Sequence, residues 1–268
     1  MKTRRLWGCG VGGSVVWITG GGSGLGAALA IEYGRRGARV AVSGRRRERL
    51  EQVVATLAAE GVDALAVPCD VTDADQVAAA VGQVVGRYGQ LDVVVANAGF
   101  AASGRVEEVD LPAWKRQFEV NVFGLVSTVQ AALPYLRERG GRLALVGSVM
   151  ARVTAPGNAP YAASKAAVRA IGDTLWAELQ GTSVSCTTIH PGYVESEIGQ
   201  VDIEGTFHDD WKDRRPQRLM WKASDAARVM ADAIDQRRRQ RVFTAHGRLA
   251  WWLAGWASGV CVWWSARS

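Results

Sequence analysis

Thr19-Gly20-Gly21-Gly22-Ser23-Gly24-Leu25-Gly26 joins two different hydrophobic patterns. Before it, the apolar run 14–19 predicts a strand. After it, residues 25–36 carry a helical pattern. Glycines at such a turn let backbone N–H groups approach a pyrophosphate, and the following helix N-terminus adds partial positive charge. Outward from the turn, short β-rich runs alternate with longer helical ones. Strands are expected at 39–43, 64–69, 91–96, 142–147, 184–190 and 241–244. Helices are expected at 48–60, from a cap at Thr72 or Asp73 to about Tyr88, and at 111–139, 160–180 and 223–237. The strands are nearly continuous apolar runs, as when helices cover both faces of a parallel sheet. The chain therefore reads as an α/β fold: a Rossmann-like, doubly wound parallel sheet of about seven strands in a single domain, 14–246, after an extension, 1–13.

The chain has 268 residues, of which 48% are hydrophobic and 22% charged, the composition of a globular protein. Its net charge of +6 favours anionic partners. The basic runs lack interleaved aromatics outside the C-terminus, so a dinucleotide phosphate is expected rather than nucleic acid. Cys9, Cys69, Cys186 and Cys261 are scattered, and His190, His208 and His246 form no cluster with them. No metal site is expected, and free thiols in a reducing, cytoplasmic compartment are. Gly8, Gly10, Gly12 and Gly13 interrupt the apolar stretch that a signal peptide needs.

Residues 249–266 carry no charge, lie between Arg248 and Arg267, and hold five of the 11 tryptophans. Leu249, Trp252, Leu253, Trp256, Val260, Trp263 and Trp264 fit one helical stripe, with Arg237, Arg238, Arg239 and Arg241 upstream. Three roles stay open for this 247–268 segment: packing on the body or a partner subunit, peripheral contact with an anionic membrane, and a short transmembrane anchor.

Further motifs follow in order. Asp70-Val71 comes after the third strand and Asn97-Ala98-Gly99 after the fourth. Asn121 lies in the long helix, and Ser148 ends the fifth strand. Tyr161-Ala162-Ala163-Ser164-Lys165 lies 13 residues on, and Pro191-Gly192 follows the sixth strand. With the TGxxxGxG turn, this set resembles the classical short-chain dehydrogenase/reductase family from about residue 14 to 200. The resemblance implies NAD(P)-dependent oxidoreduction. It implies that Gly20, Gly22, Ser23, Gly24, Leu25, Gly26, Asp70, Val71, Asn97, Ala98, Gly99, Pro191, Gly192, Val194 and Ser196 serve the cofactor. It assigns acid/base work to Tyr161, the substrate oxygen to Ser148, the nicotinamide ribose to Lys165, and a proton-relay water to Asn121. It places a substrate lid at about 193–221 and implies a homodimer or homotetramer through the long helices. His190 receives no catalytic role.

Tyr161 and Lys165 are four apart on a helix, so they share a face, and an ammonium beside a phenol lowers its pKa. At the end of the second strand, Ser43-Gly44-Arg45-Arg46-Arg47 holds no carboxylate for a ribose hydroxyl. Arg45 suits a 2′-phosphate, aided by Arg46 and the Ser43 hydroxyl, so NADP(H) is expected over NAD(H). The lid is rich in apolar residues. Tyr193 and Trp211 there, with Met150, Ser148 and Tyr161, predict a bulky hydrophobic ketone or secondary alcohol. Alternatives are an NAD(H)-dependent alcohol dehydrogenase, imine or enone reduction or alcohol epimerisation at the same site, and a non-catalytic membrane-attached scaffold.

Overall fold

The computed structural model describes residues 12–203, 205–213 and 215–256. β1 (Val15–Thr19) leads through the glycine turn into α1 (Gly24–Arg35). β2 (Arg39–Gly44), α2 (Arg47–Ala59), β3 (Ala64–Pro68), α3 (Ala74–Tyr88) and β4 (Val93–Ala96) follow. Then come α4 (Leu111–Phe118), a π-helical turn (Glu119–Phe123) and α5 (Gly124–Arg139). β5 (Arg142–Val146), α6 (Ala159–Glu178), β6 (Ser185–His190), α7 (Ala223–Asp235), β7 (Gln240–Val242) and α8 (Ala245–Trp256) complete the order. The strands form one sheet, β3-β2-β1-β4-β5-β6-β7, with every pairing parallel. The expected doubly wound sheet is what forms.

β1 shows why its residues are apolar on both faces. Val16 and Ile18 enter the core under α1, α2 and α7, while Val15 and Trp17 enter the one under α3, α5 and α6. Strand side chains alternate, so a strand covered on both sides needs an unbroken apolar run. Asp73, not Thr72, caps α3: its carboxylate accepts from the Asp75 and Gln76 amides at 3.0 and 3.1 Å. Gln76 Nε2 also donates to that carboxylate at 2.8 Å, side chain to side chain.

Strand order reverses between β1 and β4, and a crevice opens beyond their C-terminal ends, as open α/β sheets dictate. Thr19 and Asn97 tie its floor. The Asn97 amide nitrogen donates to the carbonyls of Thr19 and Gly20 at 2.9 and 3.1 Å.

The long helix expected over 111–139 is broken in one place. Its middle turn is π-helical, and Asn121 sits in it. The lid region is mostly irregular, with 3-10 turns at Glu197–Gln200 and Gln217–Leu219.

α8 docks through Gly247, Ala254 and Trp251, whose ring lies 4.3 Å from that of His190 and 4.8 Å from the Arg152 guanidinium. Leu249, Trp252, Leu253 and Trp256 face outward. Arg237 and Arg239 precede β7, at the opposite end of that strand from α8, and are engaged there. Arg237 donates to the Gly140 and Ser183 carbonyls, and Arg239 pairs with Asp173. They do not flank the stripe. Val260, Trp263 and Trp264 lie outside the described residues. No helix among the described residues is long and apolar enough to cross a membrane.

Candidate active site

One cleft runs along the C-terminal ends of the strands. Gly20, Gly22, Ser23, Gly24, Leu25, Gly26, Arg45, Arg46, Asp70, Val71, Asn97, Ala98, Gly99, Ser148, Tyr161, Lys165, Pro191, Gly192, Val194 and Ser196 all line it. The glycine turn is tight enough to demand its residues. Gly20 has φ +65°, and a Cβ there would stand 2.8 Å from the Ala98 Cα. A Cβ on Gly26 would strike the Gly20 carbonyl oxygen. The turn thus leaves backbone, not side chain, facing the crevice at the start of α1. That is a fitting cradle for a pyrophosphate.

At the reacting end, α6 carries Tyr161 and, one turn on, Lys165. The Lys165 ammonium lies 5.7 Å from the Tyr161 ring centroid and donates to the Val146 carbonyl at 2.9 Å. Burial pushes Lys165 down to about 8. Burial also raises the Tyr161 phenol above its ordinary value, against a hydrogen bond with Ser148 and the charge of Arg215. Lys165 is not among the causes of that shift, so the lowering expected from its ammonium is not found. In a dry site, desolvation of the phenolate dominates, and the ammonium is turned toward Val146.

Ser148 is held from two sides. Its hydroxyl accepts from the Met150 amide at 3.1 Å, and His190 Nδ1 lies 3.1 Å from its carbonyl oxygen. His190 is fully buried and its pKa is pushed down to about 4 by desolvation, so it stays neutral and structural at pH 7.

Asn121 is pinned by its side chain. It accepts from the Phe100 amide at 3.0 Å and donates to the Phe100 carbonyl at 3.0 Å and to Ser164 Oγ at 3.1 Å. Ser164 in turn donates to the Tyr161 carbonyl at 2.7 Å. The π turn therefore braces the start of α6, a place where such turns recur.

At the other end, Asp70 accepts from the amide and hydroxyl of Thr72 at 3.0 and 2.8 Å. Arg45 donates to the Gly205 carbonyl at 2.9 Å, and Arg46 contacts Ser23 Oγ at 3.3 Å. Ser43 is a correction. Its hydroxyl is fully buried and accepts from the Trp17 indole at 2.9 Å, so it faces the core and not a phosphate.

The substrate residues divide. Ser148 and Tyr161 line the cleft. Met150, Tyr193 and Trp211 are not among its described lining residues. Tyr193 stacks on His246 at 5.6 Å and Trp211 on His208 at 4.5 Å, so each ring is spent on a histidine of its own neighbourhood.

Three charged lining residues were missed by the sequence reading. Arg215 donates to the Val194 and Ser196 carbonyls at 3.0 and 2.7 Å and pairs with Asp213. Arg49 and Glu197 join Arg46 at the end of the cleft beside β2. Arg49 was legible as the i+3 neighbour of Arg46 on a helix. Arg215, in a segment without periodicity, left no such signal. Among the described residues no group of three or more His, Cys, Asp or Glu comes together as a metal site. Cys69 and Cys186 are buried free thiols.

The family model described as short chain dehydrogenase matches residues 14–205. The chain belongs to the short-chain dehydrogenase family. Within the family, it is 40% identical over 191 residues to the 11-beta-hydroxysteroid dehydrogenase 1A of Arabidopsis thaliana, a match covering 70% of this chain and 54% of that one. It is 32% identical over 260 residues to 11-beta-hydroxysteroid dehydrogenase A of Sesamum indicum, covering 94% and 74%. The chain thus spans about half the length of the Arabidopsis relative. Two solved short-chain dehydrogenases resemble it. One, from Burkholderia phymatum in complex with NAD, superposes with TM-score 0.86 at 26% identity, covering 94% of this chain and 96% of that one. The other, from Burkholderia cenocepacia in complex with NADP, gives 0.79 at 30%, covering 89% and 99%.

Proposed function

We propose that the chain is an NADP(H)-dependent oxidoreductase acting on a carbonyl or secondary alcohol of a bulky hydrophobic substrate. The observation that carries this is the single cleft that joins the glycine turn to Tyr161, Ser148 and Lys165. Its residues fit a nicotinamide dinucleotide: the bare backbone of the turn for the pyrophosphate, Asp70 and Val71 for the adenine, and Lys165 for the nicotinamide ribose. Arg45 and Arg46 supply positive charge at the end of β2, where a 2′-phosphate would lie. When bound, the nicotinamide supplies or takes the hydride.

The chain's own groups supply the rest. Ser148 Oγ holds the substrate oxygen and Tyr161 passes it a proton. Burial, which raises the Tyr161 phenol above its ordinary value, keeps on its oxygen the proton that carbonyl reduction consumes. Lys165, at about 8, is poised to exchange protons near neutrality. The Asn121 brace keeps Tyr161 in register with Ser148.

Phe100, Val120, Val194 and Ile198 give the cleft an apolar lining. The hydroxysteroid names of the relatives point the same way, to a rigid apolar alcohol or ketone. A cofactor-coupled screen of hydrophobic ketones tests this. NADPH is expected to be consumed with at least tenfold higher kcat/KM than NADH, about what one charge-assisted hydrogen bond supplies. Equal use of both overturns the cofactor assignment. No consumption of either overturns the activity.

A further inference from the structure

The lid carries its own anion into the place argued above for the 2′-phosphate. Glu197 pairs with Arg46 at 2.6 Å and with Arg49 at 3.5 Å. Phe207, also from the lid, lies under both guanidiniums, 5.4 and 6.0 Å from its ring centroid. The lid is fastened beside them too: Arg45 donates to the Gly205 carbonyl, and a Cβ on Gly24 would meet the Ser196 Cβ at 3.0 Å. Two cations and an aromatic face therefore converge on one carboxylate at the mouth of the nucleotide cleft. A carboxylate and a phosphate monoester compete for the same guanidinium donors.

We propose that Glu197 is a specificity-determining residue that stands in for the 2′-phosphate, and that Arg46 and Arg49, rather than Arg45, form the phosphate fork. A 2′-phosphate displaces Glu197 from the two arginines. A cofactor with a free 2′-hydroxyl leaves the pair intact. Glu197 thus lowers the preference for the phosphorylated cofactor below what the arginines alone would give, and it ties lid release to that phosphate. The ion pair is partly exposed, with 42% of Arg46, 41% of Arg49 and 23% of Glu197 accessible, so the competition is modest. This rests on the NADP(H) reading above.

The test is equilibrium binding, followed by tryptophan fluorescence or calorimetry, of NADPH, NADH, 2′,5′-ADP and 5′-AMP to the full chain and to Glu197→Gln. Gln keeps the size and shape of the side chain and removes both the charge and one of the two oxygens that face the arginines. The expected result is that NADPH and 2′,5′-ADP bind about two- to fivefold tighter to Glu197→Gln, the range of an exposed ion pair. NADH and 5′-AMP should stay within about twofold. Arg49→Gln should weaken 2′,5′-ADP several-fold and shrink the effect of Glu197→Gln in the double variant. Equal tightening of all four ligands would make Glu197 a simple lid staple and overturn the proposal. Unchanged or weaker 2′,5′-ADP binding to Glu197→Gln would overturn it as well. If the unaltered chain binds NADPH and NADH alike, the cofactor assignment has failed. If it prefers NADPH and Glu197→Gln changes nothing, only the role of Glu197 has failed.

Discussion

At the reacting end of the cleft, Lys165 is 4% exposed, Ser148 is 7% exposed, and burial is the main cause of the shifts in Tyr161 and Lys165. At the arginine end, Arg46 and Arg49 stay 42% and 41% exposed while pairing with Glu197, with the Phe207 ring against one side of them. The first end has a low local dielectric, so each polar group is held by a specific partner and its protonation is set by desolvation. The second end is screened, so its pairs are weak one at a time and can be exchanged for a ligand. Under the proposed function, chemistry falls at the buried end and recognition of the phosphate at the exposed one.

Substitutions at the two ends should therefore differ in kind. The largest effect is expected at Tyr161. Tyr161→Phe should lower kcat by about 10²- to 10⁴-fold, the usual contribution of a positioned acid. Cofactor Kd should stay within about twofold, because the hydroxyl serves the substrate oxygen. A matching loss of cofactor affinity would break the contrast between the ends.

His190 comes next. Its folded pKa of about 4 lies below the ordinary value of 6.5. As pH falls through that window, the unfolded chain takes a proton that the folded chain refuses, so stability falls, and it is fully restored above about 6.5. The loss is about 3 kcal/mol at the acid end. Urea unfolding across this range should show it, and His190→Gln should flatten the acid limb by about that amount. An unchanged limb would mean that the imidazole is not desolvated under Trp251.

The smallest effect belongs to the exposed end. Arg46→Gln should weaken NADPH by about tenfold, the worth of one charge-assisted contact, and leave NADH within about twofold. A loss common to both cofactors would assign Arg46 to the lid rather than to the phosphate.

The sheet and the glycine turn were legible in sequence because both are local: doubly covered strands are continuous apolar runs, and a turn against backbone admits only glycine. Tyr161, Ser148 and Lys165 were legible through ordered spacing. Ser43 was misread, although strand parity places it on the face of Ala41, toward Trp17. The π turn at Asn121 was not legible. Residues 111–139 keep a helical pattern throughout, and the turn's side-chain partners, Phe100 and Ser164, are distant in sequence. Of the α8 stripe, Leu249, Trp252, Leu253 and Trp256 share the outward face of the helix. The docking face was not legible, because Trp251, one residue off that stripe, finds His190 and Arg152 across the fold.

The account stands most directly on one measurement: transfer of deuterium from NADPH labelled at the reactive nicotinamide carbon to a hydrophobic ketone, followed by mass spectrometry. The label should appear on the carbinol carbon, one per NADPH consumed, with the unaltered chain, and about 10²- to 10⁴-fold more slowly with Tyr161→Phe at saturating NADPH. Unlabelled product, or label transfer by Tyr161→Phe at the rate of the unaltered chain, would contradict it.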